Sequence, residues 1–184
     1  QPPRNSQSFT NNPNINSKLL FYSFRENTDG ARRRFQISQD NIPVYTRAMI
    51  ATVLDKKYSK TPIPKEEYFD KIGEYKFVVS PEGNGIDCFR HCETWWSKGI
   101  PIIQYNPFIA NKYKGLPILW TKNYSEINDN YLNNKYEEFL NKSFDFRRII
   151  LSCYNPIIQR QIITVMNYPQ NQGSSLAIGS NRFW

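Results

Sequence analysis

Polar positions fill residues 1–17, which are rich in Asn, Ser and Pro, and the first apolar run is Leu19-Leu20-Phe21-Tyr22-Ser23-Phe24. The polar opening predicts a disordered leader or linker, because it has little apolar surface to bury. The run at Leu19 lacks the alternation of a half-exposed strand. It predicts a strand covered on both faces, as in a parallel sheet. A polar turn, Arg25–Gly30, follows, and Ala31-Arg32-Arg33-Arg34-Phe35 opens a helix capped by Thr28 or Asp29. Val44 to Leu54 reads equally as helix or strand, and Pro62 and Pro64 then break the chain. Lys65 to Ile72 predicts an amphipathic helix with Tyr68, Phe69 and Ile72 on one face.

Lys76–Ser80 is a second strand pattern, and Pro81-Glu82-Gly83-Asn84-Gly85 a turn. A helix is predicted from Asp87 to about Lys98, ended by Gly99. Ile100–Ile103 and Pro117–Trp120 read as third and fourth strands. From Ser125 the spacing of Tyr131, Leu132, Tyr136, Phe139 and Leu140 is helical, and further helices are predicted over Phe146–Tyr154 and after Pro156 to about Met166. The tail, Pro169–Trp184, reads as loose. Strands that alternate with helices, and are themselves apolar without alternation, predict an α/β fold. The expected architecture is a Rossmann-like, doubly wound, mainly parallel sheet. It would span residues 18–168, between the leader 1–17 and the tail 169–184. In such sheets ligands bind outside the carboxyl ends of the strands. The turns Arg25–Gly30 and Pro81–Asp87 qualify by position.

Composition narrows the partner. Lys plus Arg is 24 against 16 Asp plus Glu, a formal charge of +8 over 184 residues. That balance favours an anionic partner, and the length suits one domain. No apolar run approaches the roughly 20 residues of a spanning helix. No signal peptide pattern is present. The chain opens on Gln rather than Met, which predicts a piece of a longer protein. Abundant Asn, Ile, Lys and Tyr point to an AT-rich genome, a viral one included, and a cytoplasmic location is favoured. Asn123-Tyr124-Ser125 and Asn141-Lys142-Ser143 have the form of glycosylation sequons, but an Asn-rich chain meets such triplets by chance.

Cys88, Cys92 and Cys153 read as reduced thiols, or else as one bridge plus one thiol. Cys88 and Cys92 can share a helix face, with His91 pointing elsewhere and Cys153 remote, so no metal site is expected. A lone helical His91 reads as structural or solvated before it reads as a base. Phe89, Trp95 and Trp96 are expected to pack the helix on the sheet.

The segment Ser80-Pro81-Glu82-Gly83-Asn84-Gly85-Ile86-Asp87-Cys88-Phe89-Arg90-His91-Cys92-Glu93 carries the most chemistry. Glycines allow close backbone approach to a ligand, and the amides of a helix start favour an anion. Arg90 adds a forked phosphate donor. Glu93, one turn on, can accept two ribose hydroxyls. The plain alternative is a tight turn followed by a solvated i,i+3 pair worth a few tenths of a kcal/mol.

The stretch resembles the donor-binding motif of exostosin-type glycosyltransferases and related GT-B enzymes. The matching pieces are Ser80-Pro81, Gly83-Asn84-Gly85, Asp87, Arg90, Glu93 and Gly99-Ile100-Pro101-Ile102, followed by Gly115-Leu116-Pro117-Ile118-Leu119-Trp120 and Tyr124-Ser125-Glu126-Ile127. The similarity covers about Lys18 to Leu140 and is strongest over residues 77–103. It implies one Rossmann-like half of a GT-B fold that binds a UDP- or GDP-sugar, with Glu93 on the ribose and Arg90 on the diphosphate. Glu82, Gly83, Asn84, Gly85, Asp87 and Arg25 would line the donor site. An arginine behind Gly30, either Arg32 or Arg33, would join them; otherwise Arg32-Arg33-Arg34 is a solvated basic face. A second Glu shortly before the ribose-binding one is common in retaining relatives. Glu82 is too far upstream for that spacing and Asp87 is nearer, so the stereochemical outcome stays open.

The resemblance further implies a glycan or protein acceptor, an acceptor-binding domain outside this chain and a Golgi-lumen location as an alternative. It assigns no catalytic base and requires no cofactor beyond the donor. No phosphate-loop NTPase motif, no hydrolase elbow and no Asp-x-Asp occurs. Two rival readings remain. One is a basic nucleic-acid-binding module, against which stand dispersed charges and the absence of a known motif. The other is a transferase-like domain that binds without turnover.

Overall fold

The computed structural model describes residues 15–28 and 45–149. The chain divides into a unit of residues 1–146 and another of residues 147–184. The first unit holds every helix and strand described below; of the second, only the end of the 3-10 turn Phe146–Ile149 is described. Asp29, Gly30, Arg32, Arg33, Arg34, Cys153, the helices expected beyond Ile150 and the tail 169–184 lie outside the described residues.

The elements in chain order are β1 (Lys18–Phe21), α1 (Arg47–Leu54), α2 (Tyr68–Ile72), β2 (Tyr75–Val79), α3 (Phe89–Trp96), β3 (Ile100–Gln104), α4 (Pro107–Lys112), β4 (Leu119–Thr121) and α5 (Asp129–Leu140). The four strands form one parallel sheet in the order β1-β2-β3-β4. Leu20 aligns with Phe77, Phe77 with Ile100, and Ile102 with Leu119. This is the α/β, all-parallel, Rossmann-like architecture that the unalternated strands predict. The described strands run in chain order, so no reversal of strand order lies among them.

Both faces are covered. On one, Phe77, Val79, Ile100, Ile102 and Leu119 pack with Ile50, Ala51 and Leu54 of α1, with Leu132 of α5, and with Tyr124 and Ile127. Phe77 meets the rings of Tyr136 and Phe139 edge-on at 6.0 and 6.4 Å. On the other face, Phe21, Val78, Ile72 and Tyr75 form a smaller cluster, flanked by Ile63 and Tyr68. Strands buried on both sides have no polar face to show, which is why β2 and β3 carry no alternation.

Local chemistry sets the helix starts. The Thr46 hydroxyl accepts from the Met49 amide, which resolves the ambiguous segment 44–54 as a helix. Asn106 caps α4 by accepting from the Phe108 amide, with Pro107 at the first helical position, where its missing N–H costs nothing. This helix between the third and fourth strands is absent from the element order that the sequence pattern predicts. Asn128 caps α5 in the same way through the Tyr131 amide.

Several expectations are corrected. The first strand ends at Phe21, because the Tyr22 carbonyl leaves the ladder to accept from the Thr61 amide. The expected helix over 65–72 is a 3-10 turn, Lys65–Glu67, followed by the shorter α2. The helix expected from Asp87 begins at Phe89, with Cys88 as its cap residue. It stops at Ser97, and Lys98 rather than Gly99 takes the left-handed backbone, at φ 64°. Gly99 is needed for space instead: a β-carbon there would sit 3.1 Å from Thr94 Cγ2 and 3.3 Å from the Tyr75 carbonyl. Of the three aromatics expected to pack α3 on the sheet, only Trp95 does so. It is 4% exposed and its Nε1 donates to the Pro117 carbonyl, whereas Phe89 is 87% and Trp96 49% exposed.

Candidate functional site

The carboxyl ends of β1 and β2 lie side by side, and two arginines from opposite faces of the sheet reach over them. Arg47 opens α1. Its Nε donates to the Glu82 carbonyl at 2.6 Å, Nη2 to the Pro81 carbonyl at 3.3 Å and Nη1 to the Arg25 carbonyl at 3.3 Å. Its guanidinium also faces the Phe24 ring at 5.7 Å. Arg90, in the first turn of α3, donates through Nη1 to the Ser23 carbonyl. Arg47 thus ties the turn after β1 to the turn after β2, and Arg90 ties the start of α3 to the end of β1.

The loop Pro81–Asp87 is held from further sides. The Glu82 carboxylate accepts from Asn106 Nδ2 at 3.4 Å. Asp87 accepts from the Tyr113 phenol at 2.7 Å and pairs with Lys112 at the end of α4. The Gly83 amide donates to the Gly85 carbonyl at 3.0 Å. Gly83 is buried, whereas Asn84 and Gly85 are exposed. The space beside the Gly83 α-carbon is filled by Arg47, since a β-carbon would come within 2.8 Å of Nη2. Glu82 and Asp87, expected to line a ligand, spend carboxylate oxygens on this scaffold. Arg25 lies exposed on the turn after β1 and contributes its carbonyl.

The start of α3 is fixed from below. Ser80, the residue after β2, and His91 are fully buried, and Ser80 Oγ lies 2.7 Å from His91 Nδ1. His91 does not point away from Cys88 as expected. The Cys88 sulfur lies 3.4 Å from its Nδ1 and 3.6 Å from Ser80 Oγ, and donates to the Pro81 carbonyl at 3.6 Å. Burial above all holds the His91 pKa down to about 4, so the ring is neutral near pH 7. Burial also pushes the Cys88 and Cys92 thiols up, against the activation a reactive cysteine needs. Among the described residues no group of three or more His, Cys, Asp and Glu could hold a metal ion.

Arg90 and Glu93 share one face of α3, as their spacing predicts, yet each takes a partner outside the helix. Arg90 bonds the Ser23 carbonyl, and Glu93 Oε2 accepts from the Tyr68 phenol of α2 at 3.1 Å. The Arg90 guanidinium lies 6.0 Å from the centroid of the same tyrosine ring. The result is a line of donor, aromatic ring and half-buried carboxylate running from the rim of the sheet one turn down α3. Cys88 supplies no side-chain cap bond to α3, so the positive end of the helix dipole faces the rim.

Arg47, Tyr68, Lys112 and Tyr113 are not singled out by the sequence. Thr46 as a helix cap marks where Arg47 begins a helix. No local signal shows that its guanidinium reaches a loop 35 positions away. A separate cleft of about 370 Å³ opens at the amino end of β3, among Ile100, Pro117, Tyr136 and Phe139. It is remote from these residues.

No protein-family model matches the chain, and none of the curated proteins searched matches it. Among the described residues no helix is long and apolar enough to cross a membrane.

Proposed function

We propose that this chain carries the donor-binding domain of a glycosyltransferase, one half of a GT-B-like enzyme that moves a sugar from a nucleoside diphosphate to an acceptor hydroxyl. The observation that carries the reading is the arrangement on α3. Arg90 stands at the carboxyl-end rim of an all-parallel sheet, and Glu93 lies one turn behind it on the same face. Open α/β sheets bind ligands at that rim. The spacing matches a diphosphate followed by its ribose.

In this reading Arg90 and the first amides of α3 stabilise the charge that develops on the departing diphosphate. Fixed donors placed where charge appears need no reorganisation during the reaction. Such donors can act without a metal ion. The preorganised loop supports the role, because Arg47, Asn106, Lys112 and Tyr113 fix Pro81–Asp87 before any ligand arrives. In this reading the exposed Arg25 and Asn84 add polar contacts. No general base is assigned among the described residues.

A thermal-shift panel of UDP, GDP and their sugars tests the proposal. A ligand that binds the folded state raises the midpoint by mass action. A rise with at least one nucleotide is expected. No rise with any of them, together with tight, salt-steep binding of DNA or RNA, would replace this reading with a nucleic-acid module.

A further inference from the structure

We infer that Tyr68 is a positioning residue for the ribose-binding carboxylate, holding Glu93 in the orientation that receives the sugar hydroxyls; the inference rests on the donor-site reading. Tyr68 opens α2, which reaches the sheet face from a different part of the chain than α3. Its ring is seated edge-on against Phe21 at 6.4 Å and Phe69 at 5.5 Å. The phenol is thereby anchored by packing, and it donates to Glu93 Oε2. A carboxylate offers about four lone-pair positions. Tyr68 takes one of them on Oε2, and Arg90 spends its Nη1 on the Ser23 carbonyl, which leaves the other positions of the half-buried carboxylate to accept hydroxyls.

A glutamate on a helix surface swings among several rotamers and loses that freedom when a ligand takes it up. One already held has less to lose, and its acceptor oxygen points one way before binding. The donor role requires the phenol to keep its proton. Burial, as the largest cause, pushes the Tyr68 pKa up to about 12, with the Glu93 charge adding to the rise and Arg90 opposing it. The face of the same ring lies beneath the Arg90 guanidinium. One side chain therefore touches both groups that the donor site needs, the carboxylate through its hydroxyl and the guanidinium chiefly through its ring. Removing only the hydroxyl takes away the bond to Glu93 and leaves the ring under Arg90.

The experiment is isothermal titration of the full chain with UDP, GDP, their 2′-deoxy counterparts and inorganic pyrophosphate. It compares wild type, Tyr68→Phe and Glu93→Ala. Wild type is expected to prefer the ribonucleotide, and Glu93→Ala to lose that preference. Tyr68→Phe keeps the packed ring, so pyrophosphate affinity is expected to hold while the ribo-to-deoxy ratio falls about three- to tenfold, the worth of one hydrogen bond. A wild-type ratio in Tyr68→Phe, with the preference lost in Glu93→Ala, overturns the role of Tyr68 and leaves the site reading standing. Equal weakening of all three ligand classes makes Tyr68 merely structural and also overturns it. A wild-type chain that binds none of the nucleotides overturns the donor-site reading itself.

Discussion

The guanidinium of Arg47 occupies the place where a side chain on Gly83 would begin: a β-carbon there would lie 2.8 Å from Nη2. The contact couples two turns at the carboxyl ends of β1 and β2, because the same guanidinium bonds the carbonyls of Arg25, Pro81 and Glu82. Gly83→Ala is expected to displace the guanidinium and destabilise the fold by about 1–2 kcal/mol, through hydrogen bonds lost at partly buried carbonyls. Arg47→Met should cost a similar amount. The double variant should cost less than the sum, since the methionine leaves the new methyl group room. Urea unfolding of the four proteins measures the coupling, and strict additivity would contradict the clamp.

His91 predicts a pH dependence. Its folded-state pKa, near 4, lies below its ordinary value of 6.5, chiefly through burial. Between those two values the unfolded chain binds a proton that the folded chain does not. Stability is therefore fully present above about pH 6.5 and falls as pH drops toward 4, by roughly 3 kcal/mol in all. His91→Asn keeps a polar partner for Ser80 but cannot titrate there. Its stability should be lower near neutral pH and flatter across that window, read as melting temperature at pH 7 and pH 4.5. An unchanged slope would place the titrating group elsewhere.

The two ends of α3 make a contrasting pair. Phe89→Ser is expected to change stability by less than about 0.5 kcal/mol, because the ring stands in solvent. Trp95→Ala should cost about 3–5 kcal/mol, since it empties a buried site that packs edge-on against Tyr113 at 4.9 Å and frees the Pro117 carbonyl. Chemical denaturation of both variants checks the difference.

Residues differ in how far their sequence gives them away. Phe77, Val78 and Val79 announce a doubly covered strand, because burial on both faces leaves its mark in every position. The Pro107 start of α4 also has a local mark, Asn106 before a proline, but the helix behind it is too short to show a period. Phe89 and Trp96 mislead: seven positions apart they share a helix face, but spacing alone does not say whether that face meets the sheet or the solvent. Arg90 and Glu93 are legible as a pair on one helix face, which is a matter of spacing. Their partners Ser23 and Tyr68 are not, because tertiary contacts between distant segments leave no periodicity. The same holds for Arg47 over Gly83. The glycine looks like an opening for a ligand and is filled by the protein's own side chain.

Calorimetric titration of UDP and GDP into the wild-type chain, Arg90→Met and Glu93→Ala tests the donor site most directly. Saturable one-to-one binding of at least one nucleotide is expected, weakened at least about tenfold by either substitution, in keeping with hydrogen bonds to charged groups. Absence of binding by the folded wild-type chain, or affinity that neither substitution alters, would contradict it.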